Sequence, residues 1–197
     1  DAVDLVASEL ADLSDLSVVI GCPAPVDGGT GLRTHSVSLP RLYNAAYVLQ
    51  NGLRVHTYAK QELPNYQVFD ERRYFTPGQG ACVFHVGQGD DRVALGVLIC
   101  EDAWFEAPAR QAKAAGAELL VVINASPFHL GKGVEREAMM QSRSKSCGLP
   151  LVFAHLVGGQ DEVVFEGASF ALQADGQLAA RAASFQPENP PSASSAI

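Results

Sequence analysis

Apolar side chains at Val3, Leu5, Val6, Leu10 and Leu13 recur at near-helical spacing, so the opening residues predict an amphipathic helix with no strand ahead of it. Residues 17–21 follow as a β-branched run ending in a glycine before Pro23, which predicts a buried strand. Residues 23–40 are rich in Gly, Pro, Ser and Thr and poor in large apolar groups, the pattern of a variable surface excursion. Residues 43–50 and 53–60 flank Asn51-Gly52, a pair that readily adopts the positive φ values of a two-residue turn, and so predict a β-hairpin ending at Lys60. Residues 61–80 form a long loop carrying Pro64, Pro77, Tyr66, Phe69, Tyr74, Phe75 and the charged run from Asp70 to Arg73. That length and aromatic content point to the wall of a site.

In the second half, residues 83–86 and 92–100 read as another hairpin, and the stretch ending at Cys100 is apolar almost throughout, as a strand covered on both faces would be. Residues 108–115 are alanine-rich with a proline near the start and Gly116 just beyond, which predicts a helix. A strand over 119–124, a helix over 134–147 stopped by Gly148, and a strand over 150–157 complete an alternating α/β arrangement. Gly158 and Gly159 read as a turn, and residues 163–170 and 171–180 as hairpin structure turning at Asp175-Gly176. From Gln186 onward Pro, Ser and Asn dominate. One domain over 1–185 is therefore expected, with 186–197 as a linker or flexible tail.

Composition narrows the partners. With 197 residues, 47% of them hydrophobic and 18% charged, the chain can bury one sizeable core. A net charge of −8 argues against a nucleic-acid surface or a polybasic membrane patch, since both need clustered Lys and Arg. Cys22, Cys82, Cys100 and Cys147 are scattered without a C-x-x-C pair, so neither a zinc ribbon nor a disulfide scaffold is expected and the compartment reads as reducing and cytoplasmic. No apolar run reaches the roughly 18–20 residues needed to span a bilayer.

Cys100 stands at the tip of its strand, where the chain passes into a loop and helix, and is followed by Glu101, Asp102 and Trp104. By residue type alone a cysteine in an apolar strand is a buried structural group, as Cys22, Cys82 and Cys147 read. The acidic pair and the tryptophan set Cys100 apart. Taken alone, Lys60 is a solvated surface lysine and Glu71 a partner for Arg72 or Arg73.

Several segments in collinear order change that picture: Lys60-Gln-Glu-Leu-Pro-Asn-Tyr, Val68-Phe-Asp-Glu-Arg-Arg-Tyr-Phe, Pro77-Gly, Gly96-Val-Leu-Ile-Cys-Glu-Asp-Ala-Trp, Ile123-Asn-Ala-Ser-Pro-Phe and Val157-Gly-Gly-Gln-Asp. Together they resemble the glutaminase domain of glutamine-dependent NAD synthetases, within the nitrilase (carbon-nitrogen hydrolase) superfamily. The resemblance runs from about Val18 to Phe185. It implies an α-β-β-α sandwich, here without the strand that the family places first, and a Glu-Lys-Cys triad in which Cys100 is the nucleophile and Lys60 the lysine. A thiolate beside a fixed ammonium is expected to have a lowered pKa. Glu71 matches the additional glutamate beside the lysine. Tyr66 and Ser126 match positions that contact glutamine, and Lys132 one where a basic residue meets its α-carboxylate. Tyr66 also fits a packed wall, and Ser126 a helix cap before Pro127.

The resemblance places the general base on a strand ahead of the first helix, in a segment like Pro-Glu-Leu, whereas nothing precedes Asp1 and Glu9 reads as a solvated helix residue. The expectation is either a fragment or a catalytically crippled domain. No Ser-Gly-Gly-x-Asp-Ser phosphate loop occurs in the chain, so no cofactor is expected in it, with ATP and Mg belonging to a synthetase domain or subunit. The implied partners are glutamine, that synthetase domain and further copies of the chain. A stand-alone amidase for another small carboxamide and a degenerate, non-catalytic oligomerisation domain are the alternative readings.

Overall fold

A computed structural model of the chain describes residues 1–26, 32–33, 38–39, 41–66 and 69–187. Helix α1 (Ala2–Glu9) is started by Asp1, whose side chain accepts the Asp4 N–H at 3.0 Å. It ends before Leu13, and its contact is narrower than the sequence predicts: Val3 and Ala7 are buried while Leu5 and Val6 face outward. Val3 and Ala7 lie on a three-stranded antiparallel sheet ordered β1 (Ser17–Pro25), β4 (Leu42–Gln50) and β5 (Leu53–Ala59), where Ala24, Ala45, Tyr47 and Leu49 complete a small core.

Strand β1 is longer than residues 17–21. It continues through Pro23, opposite Asn44, to Pro25, opposite Leu42. Among the described residues no strand pairs with its other side, and an edge tolerates a residue without an N–H. The expected excursion therefore starts later, and the short strands β2 (Leu32–Arg33) and β3 (Ser38–Leu39) pair within it. Gly28, Gly29 and most of that stretch lie outside the described residues, as do Gln67, Val68 and 188–197. The hairpin turn at Asn51 (φ 51°) and Gly52 (φ 77°) joins β4 to β5 as the sequence predicts.

After helix α2 (Glu71–Tyr74) come β6 (Val83–Val86), β7 (Val93–Ile99), helix α3 (Glu106–Ala114), β8 (Leu119–Asn124), helix α4 (Lys132–Cys147) and β9 (Leu151–His155). Then follow β10 (Val157–Gln160), β11 (Val163–Glu166), β12 (Phe170–Leu172) and β13 (Leu178–Arg181). A six-stranded sheet runs in the order β13-β12-β9-β8-β7-β6, with β7, β8 and β9 parallel. Parallel neighbours need crossovers, and α3 and α4 supply them. They cover one face of the sheet, where Leu98, Leu120, Val122, Leu151 and Phe153 pack with Ala109, Ala112 and Met140. Gly96 permits that close approach, because a Cβ there would come within 2.9 Å of the Cβ atoms of Ala112 and Ala117. The other face meets the small sheet through Phe84, Val97 and Ile99 against Ala46, Val48 and Tyr58. Strand β7 is thus covered on both faces, and the layers read α-β-β-α.

The chain beyond β9 departs from the sequence reading. Gly158 and Gly159 lie in β10, not in a turn, and the reversal to β11 occurs through Asp161 at φ 53°. Residues 163–166 therefore pair backward with 157–160, whereas Phe170 pairs with Phe153 of β9. The turn at Asp175-Gly176 stands as expected, with the Gln177 N–H bonded to the Asp175 carboxylate at 2.9 Å.

Candidate active site

Cys100 follows the last residue of β7 and opens a 3-10 turn, Cys100–Trp104. Its φ of 46° is uncommon for a residue with a Cβ, so the surrounding contacts must impose it. They come from two sides. The carboxylate of Asp102, fully buried at 0% exposure, accepts four hydrogen bonds: from the N–H groups of Gln61 (3.0 Å), Glu62 (2.8 Å) and Ile99 (3.1 Å), and from the Tyr58 hydroxyl (2.9 Å). From α4, Arg143 donates to the carbonyls of Ala103 and Trp104, both at 3.0 Å.

Lys60 is 1% exposed, unlike the solvated surface lysine that its residue type taken alone suggests. Its N–H bonds the Asn44 carbonyl at 2.8 Å, carrying the β4–β5 pairing one residue further, and its own carbonyl accepts the Gly78 N–H at 2.8 Å. The ammonium donates to Glu71 at 2.7 Å, and the other oxygen of that carboxylate accepts from the Asn44 amide at 3.2 Å. Glu71 opens α2, with its N–H on the Pro64 carbonyl. The neighbouring arginines are engaged elsewhere: Arg73 pairs with Asp70, and Arg72 donates to the Leu63 carbonyl. Gly78 lies so close to this strand end that an added Cβ would sit 2.1 Å from the Ala59 carbonyl oxygen. Gly78→Ala is accordingly expected to push the segment off Lys60 and cost about 1–3 kcal/mol in urea unfolding at unchanged m value.

Lys60, Glu71 and Cys100 line one cavity of about 550 Å³, together with Asn44, Phe69 and His155. Its apolar wall comes from β1 and from the ends of β8 and β9. Burial pushes the Cys100 thiol up to about 11, a pull down by Lys60 being outweighed, and Glu101, Glu71 and Asp102 push it further up. The expectation of a lowered pKa is therefore corrected: desolvation of the thiolate exceeds its attraction to the ammonium. Such a thiol becomes a strong nucleophile when a base removes its proton as the new bond forms.

None of the remaining sequence candidates is among the residues that line this cavity. Tyr66, 49% exposed, donates its hydroxyl to both oxygens of Glu101, at 2.8 and 2.9 Å, beside a separate hollow of about 290 Å³ that also includes Arg72 and Phe105. Burial, then Glu101, then Cys100 raise the Tyr66 hydroxyl well above its ordinary range. Lys132 begins α4, 4.3 Å over the Trp104 ring and 3.0 Å from Glu135. Ser126 caps no helix, since α4 starts six residues later. Its hydroxyl instead accepts from the Asn124 amide (3.2 Å) and from Arg136 (3.3 Å). Glu9 is exposed on α1, in the layer outside the small sheet.

Sequence reasoning missed several groups around the site: Asn44, Tyr58, the Asp102 carboxylate, and the Arg136–Glu166 pair at 2.6 Å, whose members are both buried. Only Asp102 carried a signal, its place next to Glu101 after the cysteine. Among the described residues no group of three or more His, Cys, Asp or Glu side chains is placed to hold a metal ion, and no helix is long and apolar enough to cross a membrane.

Known proteins resemble this chain in sequence and fold. The carbon-nitrogen hydrolase family model matches residues 9–189. A glutamine-dependent NAD(+) synthetase of Xylella fastidiosa is 46% identical over 146 residues, covering 73% of this chain and 26% of its own length. That of Acinetobacter baylyi is 36% identical over 181 residues, covering 91% of this chain and 30% of its own. Among solved structures, glutamine-dependent NAD+ synthetase from Acinetobacter baumannii in complex with ADP superposes with a TM-score of 0.79 at 31% identity, over 94% of this chain and 32% of that one. A carbon-nitrogen hydrolase from Helicobacter pylori at 24% identity, with a TM-score of 0.74 over 92% of this chain and 63% of that one, shares the fold. The chain thus spans less than a third of the length of the NAD synthetases it matches.

Proposed function

Because the chain belongs to the carbon-nitrogen hydrolase family, we propose that it hydrolyses the side-chain amide of glutamine and passes the ammonia to an ATP-dependent synthetase domain or subunit that amidates nicotinic acid adenine dinucleotide to NAD in the cytoplasm. The observation that carries the reading is the meeting of Cys100, a buried Lys60 and Glu71 in one cavity. The names of the relatives supply the substrate.

In this reading the Cys100 sulfur adds to the amide carbon as its proton passes to a carboxylate base. The resemblance assigns that base to a glutamate on a strand ahead of α1, and Glu71 is the carboxylate among the cavity's described lining residues. Lys60 offsets the negative charge that develops on the carbonyl oxygen. The base returns that proton to the nitrogen, and the tetrahedral adduct expels ammonia, leaving a thioester between Cys100 and the γ-carbonyl. Water then adds to that carbonyl, the C–S bond breaks, and glutamate leaves with the thiol restored. Glu71 holds the ammonium in place.

In this reading the substrate's amino-acid end is met by groups outside the cavity's lining. Glu101 suits an α-ammonium, Lys132 an α-carboxylate, and the Tyr66 hydroxyl orients Glu101. Ser126, held by Asn124 and Arg136, offers a further hydroxyl beside the cavity wall. Tyr66→Phe is expected to raise the KM for glutamine about five- to tenfold with kcat within about twofold, because it frees a carboxylate used for binding and not for chemistry. Steady-state ammonia release measures both constants.

Peptide-mapped mass spectrometry after treating the folded chain with a glutamine-mimicking diazoketone tests the whole reading. Labelling at Cys100 that glutamine suppresses supports it. Labelling suppressed by another small carboxamide but not by glutamine would replace glutamine as substrate, and a folded chain without labelling would sink the proposal.

A further inference from the structure

Lys60 and Cys100 belong to different sheets. Lys60 follows β5 of the three-stranded sheet and Cys100 follows β7 of the six-stranded one. No backbone ladder joins β5 to β7, and the sheets meet through apolar side chains such as Val48, Val97 and Ile99. Such contacts bring the layers together with little directional preference. The spacing between an ammonium on one layer and a thiol on the other therefore needs a directional tie.

The Asp102 carboxylate has that geometry. One oxygen accepts the N–H groups of Gln61 and Glu62, the two residues after Lys60. The other accepts the N–H of Ile99, the residue before Cys100, and the hydroxyl of Tyr58, two residues before Lys60. A single fully buried carboxylate thus grips both strand ends that carry the reactive pair. Burial raises the Asp102 carboxyl, and four donors oppose that rise, more than a neutral amide oxygen in the same place could satisfy.

We propose that Asp102 is the positioning residue that holds the Lys60 ammonium within reach of the Cys100 thiol across the gap between the two sheets. The proposal rests on reading Cys100 and Lys60 as the reactive pair. It separates cleanly from a purely electrostatic role, because a carboxylate beside Cys100 disfavours the thiolate. Removal of its charge alone would make Cys100 more reactive, whereas loss of its grip makes Cys100 less reactive. The charged or titratable groups that act on Cys100 are Lys60 just after β5, Glu71 on α2, Glu101 and Asp102 on its own turn, and Tyr66 in the loop between β5 and α2.

The test is the rate at which iodoacetamide alkylates Cys100 in the full chain, followed by peptide mapping between pH 7 and 10. It needs no substrate, so it stands whether or not the chain acts on glutamine, which the diazoketone experiment decides separately. Asp102→Asn keeps the volume but presents an amide N–H₂ to donors. It is expected to slow alkylation about five- to tenfold at pH 8 and to move the rate profile to higher pH, as loss of a nearby cation does. Tyr58→Phe keeps all three backbone bonds and is expected to fold, with alkylation slowed about two- to threefold. Alkylation as fast as in the unaltered chain, or faster, in a folded Asp102→Asn variant overturns the proposal. If Asp102→Asn does not fold, Tyr58→Phe decides alone: slower alkylation supports the grip, and an unchanged or faster rate removes it.

Discussion

Cys100→Ala is expected to lower ammonia release from glutamine by at least about a thousandfold, since removing a covalent nucleophile leaves only what the rest of the site can do to a bound amide. Where the chain operates with a synthetase partner, ammonia-driven product formation should continue while the glutamine-driven reaction stops. Comparing the two nitrogen sources checks this directly, and equal loss of both would mean that the substitution acts through folding. The variant also carries a stability signature. With the folded thiol at about 11 against an ordinary 9.0, both states keep the proton below about pH 9. Between about 9 and 11 the unfolded chain releases it first, so the unfolded state binds fewer protons and stability falls as pH rises. Cys82 is also raised by burial, and Tyr58 too, so part of that fall persists in any variant. The difference between Cys100→Ala and the unaltered chain isolates the Cys100 share, and denaturant unfolding at pH 8 and pH 10.5 measures it.

The second large effect concerns Lys60. Lys60→Met removes the cation from a pair at 2.7 Å in which the lysine is 1% exposed and the Glu71 side chain 16%. Breaking a buried pair strands the remaining charge, at a typical cost of about 3–5 kcal/mol, and the partial exposure of Glu71 places this case at the lower end. Activity is expected to fall by at least about a hundredfold as well, through loss of charge stabilisation at the carbonyl oxygen. Adding Glu71→Gln separates the two effects. The glutamine retains the hydrogen bond with Asn44 without stranding a charge, so the double variant should regain most of the lost stability and none of the lost activity. Recovery of both would make the pair a structural feature only.

Much of the frame was legible in the order of residues. The hairpin at Asn51-Gly52, the turn at Asp175-Gly176 and the helix stop at Gly148 are local conformational preferences that a short window reveals. The apolar run over β7 marks a strand covered on both faces, and the structure finds a sheet on one side and helices on the other. Where the reading went astray, a longer-range competition decided. Pro23 and Pro25 look like loop punctuation, yet they extend a strand because, among the described residues, no strand pairs with the other side of β1. Gly158 and Gly159 look like a turn, yet they form β10 because Asp161 takes the positive φ and β11 supplies a partner.

The sequence by itself determined the alternation of strands and helices, the position of Cys100 at a strand tip, and the motifs from Lys60 to Asp102 that carry the family resemblance, since each resides in a few consecutive residues. Only the tertiary structure decided that Lys60 is buried against Glu71 and that Asp102 grips residues about forty positions earlier. It alone showed that desolvation outweighs the lysine in setting the Cys100 thiol. Burial and cross-sheet hydrogen bonds depend on how two separately formed sheets dock, and no stretch of consecutive residues contains both sides of that contact.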